Sequence, residues 1–167
     1  TYDNHVVTLT VTVTDNGDGT MLVEPVYEGS AEFTNTYTVT GNPKFDLTGN
    51  KTLNGRDILD DEFTFILKDD QGNEVASTTN NGESFGFTDI ALSGLGIHHF
   101  TVSELKGSTG GITYDENVYN VAVNVTDNGV GGFANEVQIS GSGKLAFTNK
   151  ALLLGGYIGA QFILDQG

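Results

Sequence analysis

The sequence contains no cysteine among its 167 residues, and this absence excludes several kinds of chemistry. Without thiols the chain has no disulfide bonds, no cysteine nucleophile and no cysteine ligand for a metal ion. Its apolar runs are also too short for a membrane-spanning helix. If the fold carries a covalent crosslink, side chains other than cysteine must form it.

Positive charge is scarce as well. Lys and Arg together number 7 against 22 Asp and Glu, which gives a formal net charge of −15. Such a surface repels phosphate backbones and anionic lipids, so neither nucleic acid nor a membrane is expected as a partner. The charge fits a soluble, self-repelling surface, and solubility alone would account for it.

Turn residues and short alternating segments, by contrast, are abundant. Gly contributes 23 residues, and no long segment repeats its apolar residues with the helical period. Residues 63–67 and 119–125 instead alternate apolar and polar side chains, and turns such as Asn80-Asn81-Gly82 and Asp127-Asn128-Gly129 separate such segments. The predicted fold is therefore all-β, an Ig-like β-sandwich.

Three polar residues lie in phase with the apolar faces of predicted strands. Lys51 is in phase with Leu47, Glu104 with Phe100 and Val102, and Asn149 with Leu145 and Phe147. A lysine or a carboxylate costs several kcal/mol when it is buried alone and charged, and a buried amide needs hydrogen-bond partners. Three such residues on core faces therefore indicate a shared site.

Together the three side chains suggest a reaction. Burial lowers the pKa of a lysine and raises that of a glutamic acid. A neutral Lys51 amine is a nucleophile, the Asn149 amide is its electrophile, and a protonated Glu104 polarises the amide oxygen and shuttles protons. The product is a Lys–Asn isopeptide crosslink, formed once with loss of ammonia and without a cofactor. The structural alternative is that Lys51 forms an ion pair with Glu104, or that its side chain extends so that the ammonium reaches solvent at the edge of the sandwich.

The sequence resembles the isopeptide-forming repeat domains of Gram-positive, streptococcal-type pilins and surface adhesins. Five stretches over residues 40–150 carry the resemblance in family order: Lys51-Thr52-Leu53-Asn54-Gly55-Arg56, Glu62-Phe63-Thr64-Phe65, Thr101-Val102-Ser103-Glu104, Gly111-Ile112-Thr113-Tyr114-Asp115 and Phe147-Thr148-Asn149. The resemblance implies a bond from Lys51 on the first strand to Asn149 on the last, with Glu104 of a middle strand as catalyst. It also implies a pilin or collagen-adhesin B-type sandwich in which the first and last strands are neighbours.

Residues 1–37 repeat the end of this domain. The matching pairs are Tyr2-Asp3 with Tyr114-Asp115, Asp15-Asn16-Gly17 with Asp127-Asn128-Gly129, and Phe33-Thr34-Asn35 with Phe147-Thr148-Asn149. The prediction is an incomplete preceding repeat that holds only its C-terminal strands. Asn35 is then an orphan crosslink acceptor without a partner at its own site. Truncation of a longer chain is the favoured explanation, and an acceptor that awaits a lysine strand from another molecule is the alternative.

The predicted organisation has four parts. Residues 1–37 are the incomplete repeat, residues 38–46 a linker, residues 47–150 the complete sandwich and residues 151–167 an apolar tail. Lys44 on the linker is a candidate for sortase joining to a next subunit, and a merely solvated lysine is the alternative. The tail is either an extra strand that covers the hairpin predicted within residues 1–37 or non-native sequence. The first residues show no signal-peptide pattern, so an exported chain is expected to be a mature or excised piece.

Neither a metal site nor a cofactor is predicted. Asp15-Asn16-Gly17-Asp18-Gly19 has some of the acidic spacing of a calcium loop but no glutamate at the twelfth position, so it is interpreted as a hairpin turn. The adjacent His98 and His99 point to opposite faces of a strand and have no third ligand.

These features predict a structural protein rather than a multiple-turnover enzyme. The expected role is an extracellular pilus or adhesin shaft segment at the cell surface or cell wall, with adjacent repeats or subunits as partners. The alternative is an adhesin module that binds a carbohydrate or a host protein on the same sandwich. Exposed aromatics such as Tyr114 or Tyr119 beside a groove would support that alternative.

Overall fold

The structure is a computed structural model that describes residues 1–152. Within that range the chain forms eleven β-strands and no helix, so no helix there crosses a membrane. The chain divides into two compact units, Thr1–Val39 and a second unit that begins at Thr40. The predicted all-β class is confirmed, and the sandwich lies in the second unit.

The first unit is built on a single antiparallel hairpin of β1 (Thr8–Asp15) and β2 (Met21–Glu28). Every residue of both strands is exposed. In the turn, Asp15 accepts a hydrogen bond from the Gly17 N–H at 2.8 Å, and Asp18 accepts one from the Thr20 N–H at 2.9 Å. These carboxylates therefore hold a hairpin turn, as the sequence indicates.

One sheet of the second unit has five strands in the order β10-β9-β7-β4-β5. Each neighbouring pair is antiparallel. The strands are β4 (Thr64–Asp69), β5 (Glu74–Thr79), β7 (Gly96–Glu104), β9 (Val118–Asp127) and β10 (Phe133–Ile139). Alternate residues of β4, β7 and β9 are buried, as the two-residue period requires.

The other sheet has four strands in the order β6-β3-β11-β8. They are β3 (Lys44–Asn54), β6 (Ser84–Ala91), β8 (Ile112–Thr113) and β11 (Leu145–Ala151). The first and last strands of the sandwich, β3 and β11, are parallel neighbours, with Lys51 opposite Phe147. This adjacency, which the resemblance implies, brings the lysine strand and the asparagine strand side by side.

Aromatic rings fill the space between the sheets. Phe65 of one sheet stacks on Phe85 of the other, with ring centroids 3.7 Å apart, and Phe147 packs against both rings. A Cβ atom at Gly49 would lie 2.2 Å from the Phe85 ring. Gly49 therefore leaves the core-facing space on β3 that the Phe85 ring occupies.

The boundaries of the sandwich differ from the predicted ones at both ends. The strand β3 begins at Lys44, so residues 44–46 are part of the sheet and not of a linker. Phe45 is buried, and the Thr40 N–H donates to the Gly131 carbonyl at 2.9 Å. At the other end Ala151 belongs to β11. The rest of the predicted tail, from residue 153 to residue 167, lies outside the described residues.

Candidate functional site

Three strands bring the predicted site residues together in the core. Lys51 lies on β3 and Asn149 on the neighbouring β11, and both are completely buried. Glu104 is the last residue of β7 in the opposite sheet, and its side chain is also inaccessible to solvent. The two-residue alternation of each strand accounts for this placement, because each residue continues a buried apolar row.

The Glu104 carboxylate joins the other two side chains. Lys51 Nζ donates to Glu104 Oε2 at 2.6 Å, and Asn149 Nδ2 donates to Glu104 Oε1 at 2.6 Å. Asn149 Oδ1 accepts a hydrogen bond from the backbone N–H of Asp115 at 2.7 Å. A single carboxylate therefore contacts both the amine and the amide nitrogen.

Apolar surroundings act on the protonation of Lys51. Its Nζ lies 4.6 Å from the centre of the Phe63 ring and 6.0 Å from that of Phe65. Burial lowers the pKa of Lys51 below its ordinary value, although the hydrogen bond and the charge of Glu104 oppose that change. The site thus raises the neutral, nucleophilic fraction of the amine.

A second buried amide shows what distinguishes Asn149. Asn80 is also buried, but its side chain forms its hydrogen bonds with backbone groups. Its Oδ1 accepts from the Phe63 N–H at 2.8 Å, and its Nδ2 donates to the Leu59 and Gly82 carbonyls at 2.8 and 2.9 Å. Asn80 therefore anchors a turn, whereas Asn149 contacts a carboxylate that also holds an amine. The turn sequence gives no sign that Asn80 is buried.

The contacts of the Asn149 amide differ from the sequence-based hypothesis. That hypothesis has Glu104 polarise the amide oxygen, but Glu104 contacts the nitrogen instead. The oxygen faces the Asp115 N–H, which only donates, so the orientation of the amide is fixed. Asp115 is the site residue that reasoning from the sequence missed, although its Tyr-Asp context recurs at Tyr2-Asp3.

Asn35 lies in an exposed position in the first unit. Its Oδ1 accepts from the Asp3 N–H at 3.0 Å, and the Asp3 carboxylate accepts from the Thr34 N–H at 2.9 Å. Residues 1–39 contain no lysine, so this unit supplies no lysine side chain for Asn35.

His5 is the titratable neighbour of Asp3 in the first unit. Its Nδ1 lies 2.5 Å from Asp3 Oδ1 and its Nε2 lies 2.8 Å from the Ser30 carbonyl. Both ring nitrogens face acceptors, so the hydrogen bond to Asp3 and that to Ser30 raise the pKa of His5. Hydrogen bonds, first from the Thr34 N–H and then from His5, lower the pKa of Asp3 to about 2.

We expect the first unit to be most stable at mildly acidic pH. The raised His5 pKa contributes stability that is complete below pH 6.5 and is lost as the pH rises through the folded value. The lowered Asp3 pKa contributes stability that is complete above pH 3.8 and is lost as the pH falls through about 2. The hydrogen-exchange protection of the Thr34 N–H, corrected for intrinsic rates, should fall between pH 5 and pH 8, values that lie on either side of the ordinary His pKa of 6.5. It should not fall in His5→Ala, and equal protection of the original chain at both values would contradict the expectation.

A family model matches residues 1–38 and 47–151, and its description is FctA, a Spy0128-like isopeptide containing domain. No curated protein matches the chain. Among solved structures, a major pilin protein from Streptococcus pyogenes aligns with 20% identity over 65% of this chain and 52% of its own, with a TM-score of 0.47. Another S. pyogenes major pilin aligns with 19% identity over 67% of this chain and 51% of its own, with a TM-score of 0.49. The chain thus spans about half the length of these pilins.

Proposed function

The chain belongs to the family of Spy0128-like isopeptide containing domains, and from this premise we propose that it is a structural segment of a pilus. An intramolecular isopeptide bond between Lys51 and Asn149, promoted by Glu104, holds its sandwich together. Such a segment is extracellular, lies at the cell surface, and has adjacent repeats or subunits as its partners. The bond gives mechanical and proteolytic resistance, which suits a protein that supports cell adhesion.

The observation that carries this proposal is the shared carboxylate. Glu104 lies at 2.6 Å from Lys51 Nζ and at 2.6 Å from Asn149 Nδ2, with no solvent access to its side chain. A carboxylate in that position accepts a proton from the amine and passes it to the amide nitrogen. This placement fits proton transfer from the attacking amine to the departing amide nitrogen. A simple ion pair between Lys51 and Glu104 would not require Glu104 to contact Asn149 as well.

The reaction balances without a cofactor. The neutral Lys51 amine attacks Asn149 Cγ, which forms the Nζ–Cγ bond, and Nζ then gives one proton to Glu104. The Cγ–Nδ2 bond then breaks, and the proton held by Glu104 goes to Nδ2, which leaves as ammonia. The reaction consumes the lysine and the asparagine, so each molecule reacts once and the protein is not a multiple-turnover enzyme.

We also propose that residues 1–37 are the C-terminal part of a preceding repeat. The repeated sequence motifs and the matched hydrogen bonds of Asp3 and Asp115 support this. Asn35 is then the acceptor half of an equivalent site, with a lysine that lies outside residues 1–39.

The binding-module alternative gains no support from the two tyrosines that it would use. Tyr119 is half-buried, donates to the Ala146 carbonyl at 2.6 Å and packs against Phe147. Tyr114 is half-buried and packs edge-on against Phe63. Both rings extend the core.

Intact mass tests the crosslink directly. The purified chain should be lighter than its sequence by one ammonia, and Lys51→Ala should have its full mass. Ammonia is also lost when an Asn-Gly pair such as Asn81-Gly82 forms a succinimide, but that loss does not depend on Lys51. Fragmentation of a proteolytic digest should therefore yield a branched peptide that contains Lys51 and Asn149. An unshifted mass, or a loss that is equal in the original chain and in Lys51→Ala, would contradict the proposal.

A further inference from the structure

We propose that the backbone N–H of Asp115 stabilises the oxyanion of the crosslinking reaction and that the Asp115 carboxylate positions this donor. The inference rests on the proposed function and adds a catalytic group to it. When Lys51 Nζ attacks Asn149 Cγ, the carbonyl electron pair moves onto Oδ1, where negative charge develops. The charge returns to the carbonyl when ammonia leaves, and the Asp115 N–H keeps its proton throughout.

The geometry assigns the two ends of the amide to different groups. Glu104 contacts Nδ2, the atom that leaves, whereas the Asp115 N–H donates to Oδ1 at 2.7 Å. A donor fixed where charge develops stabilises the transition state more than the ground state. Glu104 therefore moves protons, and Asp115 stabilises the charge that Glu104 does not contact.

The Asp115 side chain fixes its own N–H in place. Its Oδ2 accepts from the Thr148 N–H at 2.7 Å, and its Oδ1 accepts from the Asn117 N–H at 2.9 Å. Because Thr148 directly precedes Asn149 on β11, the carboxylate bonds the loop between β8 and β9 to the strand that carries the electrophile. We call these three hydrogen bonds, including that from the Asp115 N–H to Asn149, the asparagine clasp.

The same clasp occurs in the first unit. The Asp3 N–H donates to Asn35 Oδ1 at 3.0 Å, and Asp3 accepts from the Thr34 N–H at 2.9 Å and from the His5 N–H at 3.1 Å. In that unit no lysine is present and Asn35 is exposed. Three matching hydrogen bonds without the amine indicate that the clasp forms independently of it. The electrophile is thus held in position before the nucleophile reaches it.

The test measures the rate of ammonia loss after synthesis of the full chain. The chain is made in a cell-free system, synthesis is stopped with an inhibitor, samples are quenched in acid, and intact mass gives the crosslinked fraction over time. Asp115→Ala removes both carboxylate contacts and should react about tenfold more slowly or worse, since the donor is no longer held. Asp115→Asn removes the same charge but keeps an acceptor oxygen for Thr148, so its rate should stay within about threefold of the original.

A third chain removes the donor itself. An ester in place of the Tyr114–Asp115 amide keeps the carboxylate but has no N–H, and its rate should fall by about 10²–10³. Circular dichroism and thermal midpoints establish whether each variant folds. If Asp115→Ala does not fold, the rate of the ester chain decides the result. The negative charge of Asp115 also raises the pKa of Lys51, and both variants remove that charge. A near-normal rate in Asp115→Asn therefore attributes the slow reaction of Asp115→Ala to lost positioning and not to lost charge.

The outcomes separate this inference from the function beneath it. If the original chain loses ammonia and the folded ester chain reacts at the same rate, the Asp115 donor is not catalytic, while the crosslink stands. If folded Asp115→Asn is as slow as Asp115→Ala, the positioning role of the carboxylate is wrong. If the original chain itself loses no ammonia, the proposed function fails and the inference with it.

Discussion

Replacing Glu104 by alanine should leave the chain at its full sequence mass and should strongly destabilise the sandwich. Without the carboxylate, Glu104 can no longer accept the proton of Lys51 Nζ and pass it to Asn149 Nδ2. The Lys51 ammonium also stays in an apolar core without its partner, which costs about 3–5 kcal/mol. Loss of a crosslink that closes a loop of about 100 residues removes about 4.7 kcal/mol more in the chain-entropy model. At several degrees per kcal/mol, the thermal midpoint should fall by roughly 30 °C or more.

Two further variants separate these contributions. Asn149→Ala removes the electrophile but leaves Lys51 paired with Glu104, so it should lose the crosslink without leaving an unpaired lysine. Its free energy of unfolding should therefore lie between those of the original chain and Glu104→Ala. Glu116→Ala breaks the exposed ion pair in which Lys106 Nζ lies 3.4 Å from Glu116 Oε1. This variant should still be lighter than its own sequence by one ammonia, and its thermal midpoint should hardly change. A Glu104→Ala chain that still loses ammonia and yields the branched peptide would contradict the assigned role.

The core positions of the three site residues were predictable because their signal is local. Lys51, Glu104 and Asn149 each continue an apolar alternation that can be read within a few residues, and the alternation of a strand determines which face a residue occupies. The all-β class follows from the same pattern. The start of β3 was readable too, since Phe45 alternates with Leu47, but the Asn42-Pro43 turn signal favoured a linker there.

The contribution of Asp115 was not predictable in the same way. Its contact to Asn149 comes from a backbone N–H, which every residue except proline carries, and the loop around it has no periodicity. Gly49 is a related case. Gly49 lacks a side chain where the Phe85 ring packs, and the two residues come together only when β3 and β6 pair. Features that depend on contacts between elements thus needed the structure.

Stretching a single molecule should give the second large effect. Tension applied at the start of β3 and at the end of β11 pulls two parallel neighbouring strands in opposite directions. With Lys51 bonded to Asn149, the roughly 100 residues between them bear no tension and are not extended. In Lys51→Ala the same residues should be released in one step of roughly 330 Å, at about 3.3 Å per residue.

Force spectroscopy on the chain between two handles measures this step, with Glu116→Ala as the matched control that should behave like the original chain. A step of the full length in the original chain would contradict the crosslink. Extension reports which residues are joined, whereas mass reports only that ammonia has left. A lighter chain that nevertheless extends fully would have lost its ammonia at another site, for example by succinimide formation. Only a covalent bond between residues near the two ends of the sandwich keeps almost the whole domain from being extended.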